Sequence, residues 1–215
     1  MKHAPIVVLD FETTGMSPEA GARITEVAAL RVADGRIAER FVSLVNCGAW
    51  IPPFITGLTG ITQRMVDTAP PAADVVPRLL EFIGRDALMA HNAGFDEKFL
   101  LAESARLGLR PEHERLICSL KLSRRLLPGL PSYRLGAVTS AVGIRFSGQA
   151  HRAEADAEVT AYLLLHLSAQ VGGRYGLPFI SAELLEGITR QSAARVPRYL
   201  EKCASEVQTC LNLLP

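Results

Sequence analysis

The chain is short of the residues that mark several common classes of protein. Its four cysteines, Cys47, Cys118, Cys203 and Cys210, form neither a CxxC pair nor zinc-finger spacing. Four thiols in 215 residues are too few for a disulfide scaffold, so they read as reduced packing residues. No apolar stretch reaches the ~20 residues that span a bilayer. The segment from Met1 to Phe11 lacks the long apolar core and small-residue cleavage site of a secretion signal. The expected compartment is therefore cytoplasmic, with no membrane partner. Long internal repeats and low-complexity segments are missing as well. So is an excess of charge of one sign, since 23 Lys and Arg face 22 Asp and Glu for a formal charge of +1. That balance argues against coating nucleic acid by bulk electrostatics and leaves room for an enzyme that grips a few nucleotides at one end.

What the chain does contain is the apolar content of a globular protein, 48% hydrophobic against 21% charged, enough for one main domain with a sizeable core. Ile6, Val7, Val8 and Leu9 form a continuous apolar run before Asp10, the pattern of a strand buried on both faces. Ile24 to Val32 and Ile37 to Val45 are two further β-rich runs, and the Asp34-Gly35 pair between them is a strong hairpin signal. Trp50 to Thr62, with two prolines and two glycines, reads as a long irregular connection. Helical spacing follows over Ala72 to Ile83, then a short strand at Ala87 to Ala90 and a helix over Phe95 to Leu107. A strand near Leu116 to Cys118, helical segments over Leu120 to Leu127 and Leu135 to Val142, and a last core helix over Ala153 to Val171 complete the pattern. Three strands followed by alternating helices and strands predict an α/β fold, with a mixed central sheet that starts as an antiparallel three-strand meander and is flanked by helices. The Gly172, Gly173, Gly176, Pro178 cluster divides residues 1–172 from a short C-terminal helical appendage or tail at 173–215.

The residues able to carry chemistry sit where the predicted elements end. Asp10 and Glu12 are two apart at the end of a strand, so period-two geometry turns both carboxylates to one side and Phe11 to the other. Two acids on one face form a cation site, because a divalent metal is the usual way to keep both ionised. The ordinary alternative is a solvated turn. Asp96 follows His91, Asn92, Ala93, Gly94 and Phe95 at a strand-to-helix junction, where an α/β sheet presents ligand-binding groups but where Asp is also a standard helix-start residue. His151 and Asp156 flank the entry to the last core helix, which fixes the acid in the first turns and leaves the histidine on the loop before it. Taken singly, each of these residues has an ordinary structural explanation.

Taken in order, they resemble one family. Leu9 to Gly15 is similar to the first motif of the DEDDh group of 3′–5′ exonucleases, the group of the proofreading epsilon subunit of bacterial DNA polymerase III and of ribonuclease T. His91 to Asp96 resembles the second motif and His151 to Ala157 the third, while Thr59 to Thr62 and Tyr133 to Leu135 match weaker landmarks. The resemblance spans Ile6 to Gln170 and departs at Cys118-Ser119-Leu120, where many relatives have an aspartate and a threonine before the leucine. It implies an RNase H-like fold. It also implies that Asp10, Glu12, Asp96 and Asp156 hold two divalent metal ions, Mg²⁺ or Mn²⁺, and that His151 acts as general base toward water. Thr13, Thr14, Gly15, Ile61, Thr62, Asn92 and Phe95 would line the site of the terminal nucleotide, although Phe95 could be core and Thr62 a helix cap.

The expected activity is metal-dependent removal of nucleoside monophosphates from the single-stranded or frayed 3′ ends of DNA, in proofreading or repair. An enzyme that degrades RNA in the manner of ribonuclease T, or oligoribonucleotides, is the alternative within the same chemistry. A non-catalytic polymerase-accessory or binding module is the alternative outside it. Gln208 to Leu214 resembles the peptides with which bacterial replication proteins bind the sliding clamp, and equally reads as the apolar end of an amphipathic helix. The tail could thus contact a DNA polymerase or clamp, support a homodimer, or pack back on the core.

Overall fold

In the computed structural model, which describes residues 4–146, 148 and 150–212, the center is a five-stranded sheet of order β3-β2-β1-β4-β5. Strand β1 spans Ile6–Thr13, β2 Ile24–Ala33 and β3 Arg36–Leu44, paired antiparallel in sequence, while β4 (Ala87–Ala90) and β5 (Leu116–Cys118) run parallel to β1. The β2-β3 hairpin turns on Asp34 and Gly35, both left-handed with φ 49° and 74°, the backbone that an Asp-Gly pair supplies at little cost. As expected from the sequence, the sheet is mixed and begins as an antiparallel meander.

Alternation along β1 sorts its side chains into two cores. Val7, Leu9 and Phe11 pack with α3 (Ala72–Ile83) and α4 (Gly94–Arg106) through Val75, Leu79, Ile83, Phe99 and Leu100. Ile6 and Val8 face the opposite way, joining Ala28 and Leu30 of β2 against α7 (Ala153–Tyr175). Helix α7 presents Ala153, Ala157 and Ala161, all fully buried, at four-residue spacing. Side chains this small let the helix axis lie close on the sheet.

Two expectations need correction. The connection from Trp50 to Thr62 is not irregular throughout, because it contains α1 (Pro53–Thr59), which is followed by α2 (Gln63–Asp67). Pro53 presets the helical φ at the first position of α1, and Gly60 ends the helix in the left-handed region at φ 74°. The glycines at 172 and 173 do not end α7 either. The helix runs through both to Tyr175 and stops at Gly176, whose φ of 64° makes the left-handed cap. Beyond it, α8 (Ala182–Arg190) and α9 (Val196–Asn212) return to the sheet, and their Leu185, Ile188, Val196 and Leu200 enter the same core as Val8 and Leu30. Burial of apolar surface outweighs a glycine pair whose cost inside a helix is only ~1 kcal/mol per residue.

The smaller helices α5 (Ser119–Leu126) and α6 (Leu135–Ala141) complete that layer. No helix among the described residues is long and apolar enough to cross a membrane. Cys47, Cys118 and Cys203 are free thiols. Leu213 and Leu214 of the clamp-like peptide lie outside the described residues.

Candidate active site

Asp10 and Glu12 continue the Ile6 and Val8 side of β1, past the point where apolar side chains fill it, and so look toward the N-terminus of α7. Asp156 lies in the first turn of that helix. Oxygens of Asp10, Glu12 and Asp156 come within 4.8 Å of one another. No apolar core would tolerate three carboxylates this close, but hard oxygen donors in such a group are what a divalent cation such as Mg²⁺ or Mn²⁺ selects.

Asp96 reaches the group from the other side of the sheet. Strand β1 outruns β4, whose pairing with it ends at Val8–Met89. The backbone beyond lacks a neighbor there, and the Phe11 N–H donates to Asp96 Oδ1 at 3.2 Å. Asp96 is only 3% exposed, in the first turn of α4, and sits against the residue between Asp10 and Glu12.

Burial dominates the electrostatics of all four acids. It raises Asp10 well above the usual carboxylate range, helped by repulsion from Asp96, Asp156, Glu12 and Glu26. Burial, with Asp156 and Glu26, pushes Glu12 up to about 8 against the opposing pull of Arg152. Asp96 is likewise pushed by burial to about 8, despite the Phe11 hydrogen bond that favors its charged form. Asp156 is raised by burial and partly relieved by His151. A site whose acids all resist ionization lacks positive charge, and bound divalent cations are what would supply it.

His151 is exposed and left-handed at φ 62°, one residue before the cap of α7, and its N–H donates to Asp156 Oδ2 at 3.2 Å. The turn after Glu12 is tied internally. Thr13 Oγ1 donates to the Gly15 carbonyl at 2.7 Å, and Thr14 exchanges hydrogen bonds with Arg23, accepting its N–H on Oγ1 and donating its own N–H to the carbonyl, each at 2.9 Å. Thr14 keeps its hydroxyl proton to donate outward.

The remaining candidates are held by structure. Ile61 is fully buried beside Ile51, Ile55 and Val66, and Thr62 caps α2 by accepting the Met65 N–H at 3.3 Å. Phe95 packs at a tilt of 49° against Phe99 with ring centers 5.0 Å apart, and the Lys98 ammonium lies 5.1 Å from the center of its ring. Asn92 is exposed at φ 69° in the turn between β4 and α4. At the Cys118-Ser119-Leu120 departure, Ser119 Oγ bonds His91 Nδ1 at 2.9 Å, and His91 Nε2 bonds the Tyr133 carbonyl at 2.9 Å.

Two participants escaped the sequence reading. Glu26 is buried on β2 directly opposite Glu12, and both of its oxygens are engaged by Arg152, the residue after His151. The signal was present. A lone acid in the run Ile24 to Val32 shares the buried face of Ala28 and Leu30, where an unpaired charge is not tolerated.

With this geometry established, likeness to known proteins is specific. A family model described as Exonuclease, RNase_T, matches residues 7–164. A putative bifunctional exonuclease/endonuclease protein of Mycobacterium tuberculosis is 38% identical over 184 residues, covering 81% of this chain and 28% of that protein. The DNA polymerase III subunit epsilon of Aquifex aeolicus is 34% identical over 171 residues, covering 80% of this chain and 84% of that one. Among solved structures, exonuclease X in complex with 5′-overhanging duplex DNA superposes with a TM-score of 0.66 at 30% identity, over 86% of this chain and 99% of that chain. The chain thus spans under a third of the Mycobacterium relative and most of the Aquifex one.

Proposed function

The chain belongs to the RNase T-type exonuclease family, and from that membership we propose that it is a metal-dependent 3′–5′ exonuclease acting on single-stranded or frayed 3′ ends of DNA. The observation that carries the proposal is the convergence of Asp10, Glu12 and Asp156 within 4.8 Å, with Asp96 bonded to the backbone between the first two. DNA, rather than RNA, is supported by the polymerase subunit and the DNA-bound exonuclease among its relatives.

In this mechanism Asp10, Glu12, Asp96 and Asp156 hold two divalent ions, Mg²⁺ or Mn²⁺. When bound, such ions supply the positive charge that keeps the carboxylates ionized and stabilizes charge building on the phosphate oxygens. His151 accepts a proton from a water molecule. The water oxygen bonds to the terminal phosphorus as the bond from phosphorus to the 3′ oxygen of the preceding nucleotide breaks. A nucleoside 5′-monophosphate leaves, and the departing 3′ oxygen takes a proton from solvent, so the shortened strand ends in a 3′ hydroxyl. Asp156 contributes twice, as a ligand and as acceptor of the His151 N–H. Thr14, two residues after Glu12 in the turn it ties to Arg23, would contact the terminal nucleotide.

The test is degradation of 3′-labelled single-stranded DNA, duplex DNA and RNA, with and without Mg²⁺ or Mn²⁺, by the wild type, Asp10→Ala and His151→Ala. Metal-dependent activity on DNA that Asp10→Ala abolishes and His151→Ala lowers by ~10²–10⁴-fold is the expected result. Activity that survives chelation and both substitutions would overturn the mechanism, and faster turnover of RNA would reassign the substrate. A polymerase or clamp partner would engage the end of α9, and loss of clamp binding on replacing Leu211 and Leu213 by Ala is the measurement for that contact.

A further inference from the structure

Glu26 and Arg152 hold none of the proposed ions, yet they occupy a costly arrangement. Glu26 is 3% exposed and lies directly across the sheet from Glu12, a like-charge pair that destabilizes adjacent strands. An apolar side chain would continue the buried face of Ala28 and Leu30, and replacing a buried ion pair by apolar residues is often neutral or stabilizing. The β1-β2 pairing is also interrupted immediately after this pair, between Glu12 and Thr13.

What Glu26 does with its position is to hold the start of α7. Arg152 donates from Nε to Oε2 at 3.0 Å and from Nη2 to Oε1, the planar two-point fork that a lysine cannot make. The Ala153 N–H donates to Oε2 at 2.9 Å, so a carboxylate from β2 satisfies one of the free N–H groups at the helix start. Immediately before this clamp stands His151, in a left-handed backbone, φ 62°, that is strained for a non-glycine residue. Its own N–H is tied to Asp156. Three consecutive residues, His151, Arg152 and Ala153, are therefore fixed by hydrogen bonds to carboxylates from two different elements. Such over-determination is what allows a strained backbone to persist.

We propose that Glu26 and Arg152 are positioning residues that fix the backbone from which the His151 imidazole reaches the reaction, coupling the histidine to the same sheet that carries Asp10 and Glu12. The inference rests on the assignment of His151 as proton acceptor. Arg152 acts through His151 and not on the substrate, so its loss acts on kcat and not on KM.

A double-mutant cycle on 3′-labelled single-stranded DNA in Mg²⁺ tests this, with kcat and KM measured for Arg152→Ala, His151→Ala and the double variant. We expect Arg152→Ala to lower kcat ~10²-fold or more, the scale of a misplaced general base, with KM unchanged. In the His151→Ala background the same substitution should cost nothing further. Arg152→Lys should recover part of the loss. Glu26→Gln, which keeps an acceptor for the Ala153 N–H and removes the charge, provides the second variant should Arg152→Ala fold poorly, and it should show the same non-additivity. Additive losses in the cycle, or a raised KM with kcat retained, would overturn the positioning role while leaving His151 as the base. A fully active His151→Ala enzyme would overturn both assignments together.

Discussion

The backbone N–H of Phe11 donates to the carboxylate of Asp96, joining a strand and a helix whose residues are 85 positions apart. This one bond brings the acid on α4 up to the strand that carries Asp10 and Glu12, and it does so through the residue that points away from the site. Substitution at Asp96 can therefore separate folding from chemistry. Asp96→Asn retains an acceptor for Phe11 and should fold, yet should lose activity by ~10²–10³-fold because the charge is gone. Asp96→Ala also orphans a buried N–H and should cost an additional ~1–3 kcal/mol of stability in urea denaturation.

Stability of the metal-free protein should fall as pH rises. Glu12 is raised from 4.5 to about 8 and Asp96 from 3.8 to about 8, so over that interval the folded state holds protons that the unfolded chain has released. Excess protons on the folded state make the slope of stability against pH negative, with the penalty absent below about pH 4 and fully present above about pH 8. Thermal melts in chelator from pH 5 to pH 8 check the direction, and a rising melting temperature would contradict it.

Mg²⁺ or Mn²⁺ should reverse that trend, because cations bind the ionized carboxylates that the metal-free fold disfavors. The metal-induced rise in melting temperature should be larger at pH 8 than at pH 5. His151→Ala should keep this rise, since the histidine lies outside the group of Asp10, Glu12 and Asp156. Glu12→Gln should lose most of it.

Glu12→Gln should also stabilize the protein when metal is absent, by about 1–3 kcal/mol at neutral pH, as removal of a buried carboxylate that resists ionization requires. Activity and metal-free stability then move in opposite directions for a single substitution. Chemical denaturation in chelator and the exonuclease assay read the two sides.

Leu200 is fully buried in the core shared by β1, β2 and α7, although it belongs to α9. Leu200→Ala should destabilize the whole protein by ~2–5 kcal/mol in one cooperative transition. Removal of residues 177–215 should do more, since it strips Leu185, Ile188, Val196 and Leu200 from the same face. Separate melting of the C-terminal segment, with the remainder unchanged, would show instead an independent unit.

The sequence by itself determined the features that depend on local rules. The continuous apolar run from Ile6 to Leu9 marks a central strand, Asp34-Gly35 supplies the left-handed pair that a tight hairpin demands, and two-residue spacing puts Asp10 and Glu12 on one side. Helix entry likewise placed Asp156 in the first turn of α7 with His151 just before it. The local rules failed where a distant partner decides the outcome. Tertiary burial carries α7 through Gly172 and Gly173 and draws α8 and α9 onto the core. Only folding shows that Asp96 bonds the backbone of Phe11, that Ile61 is interior, and that Glu26 is answered by Arg152 from 126 residues away. A charge in an apolar run poses a question that spacing cannot answer, because the cost of burying it depends on what the rest of the chain places opposite.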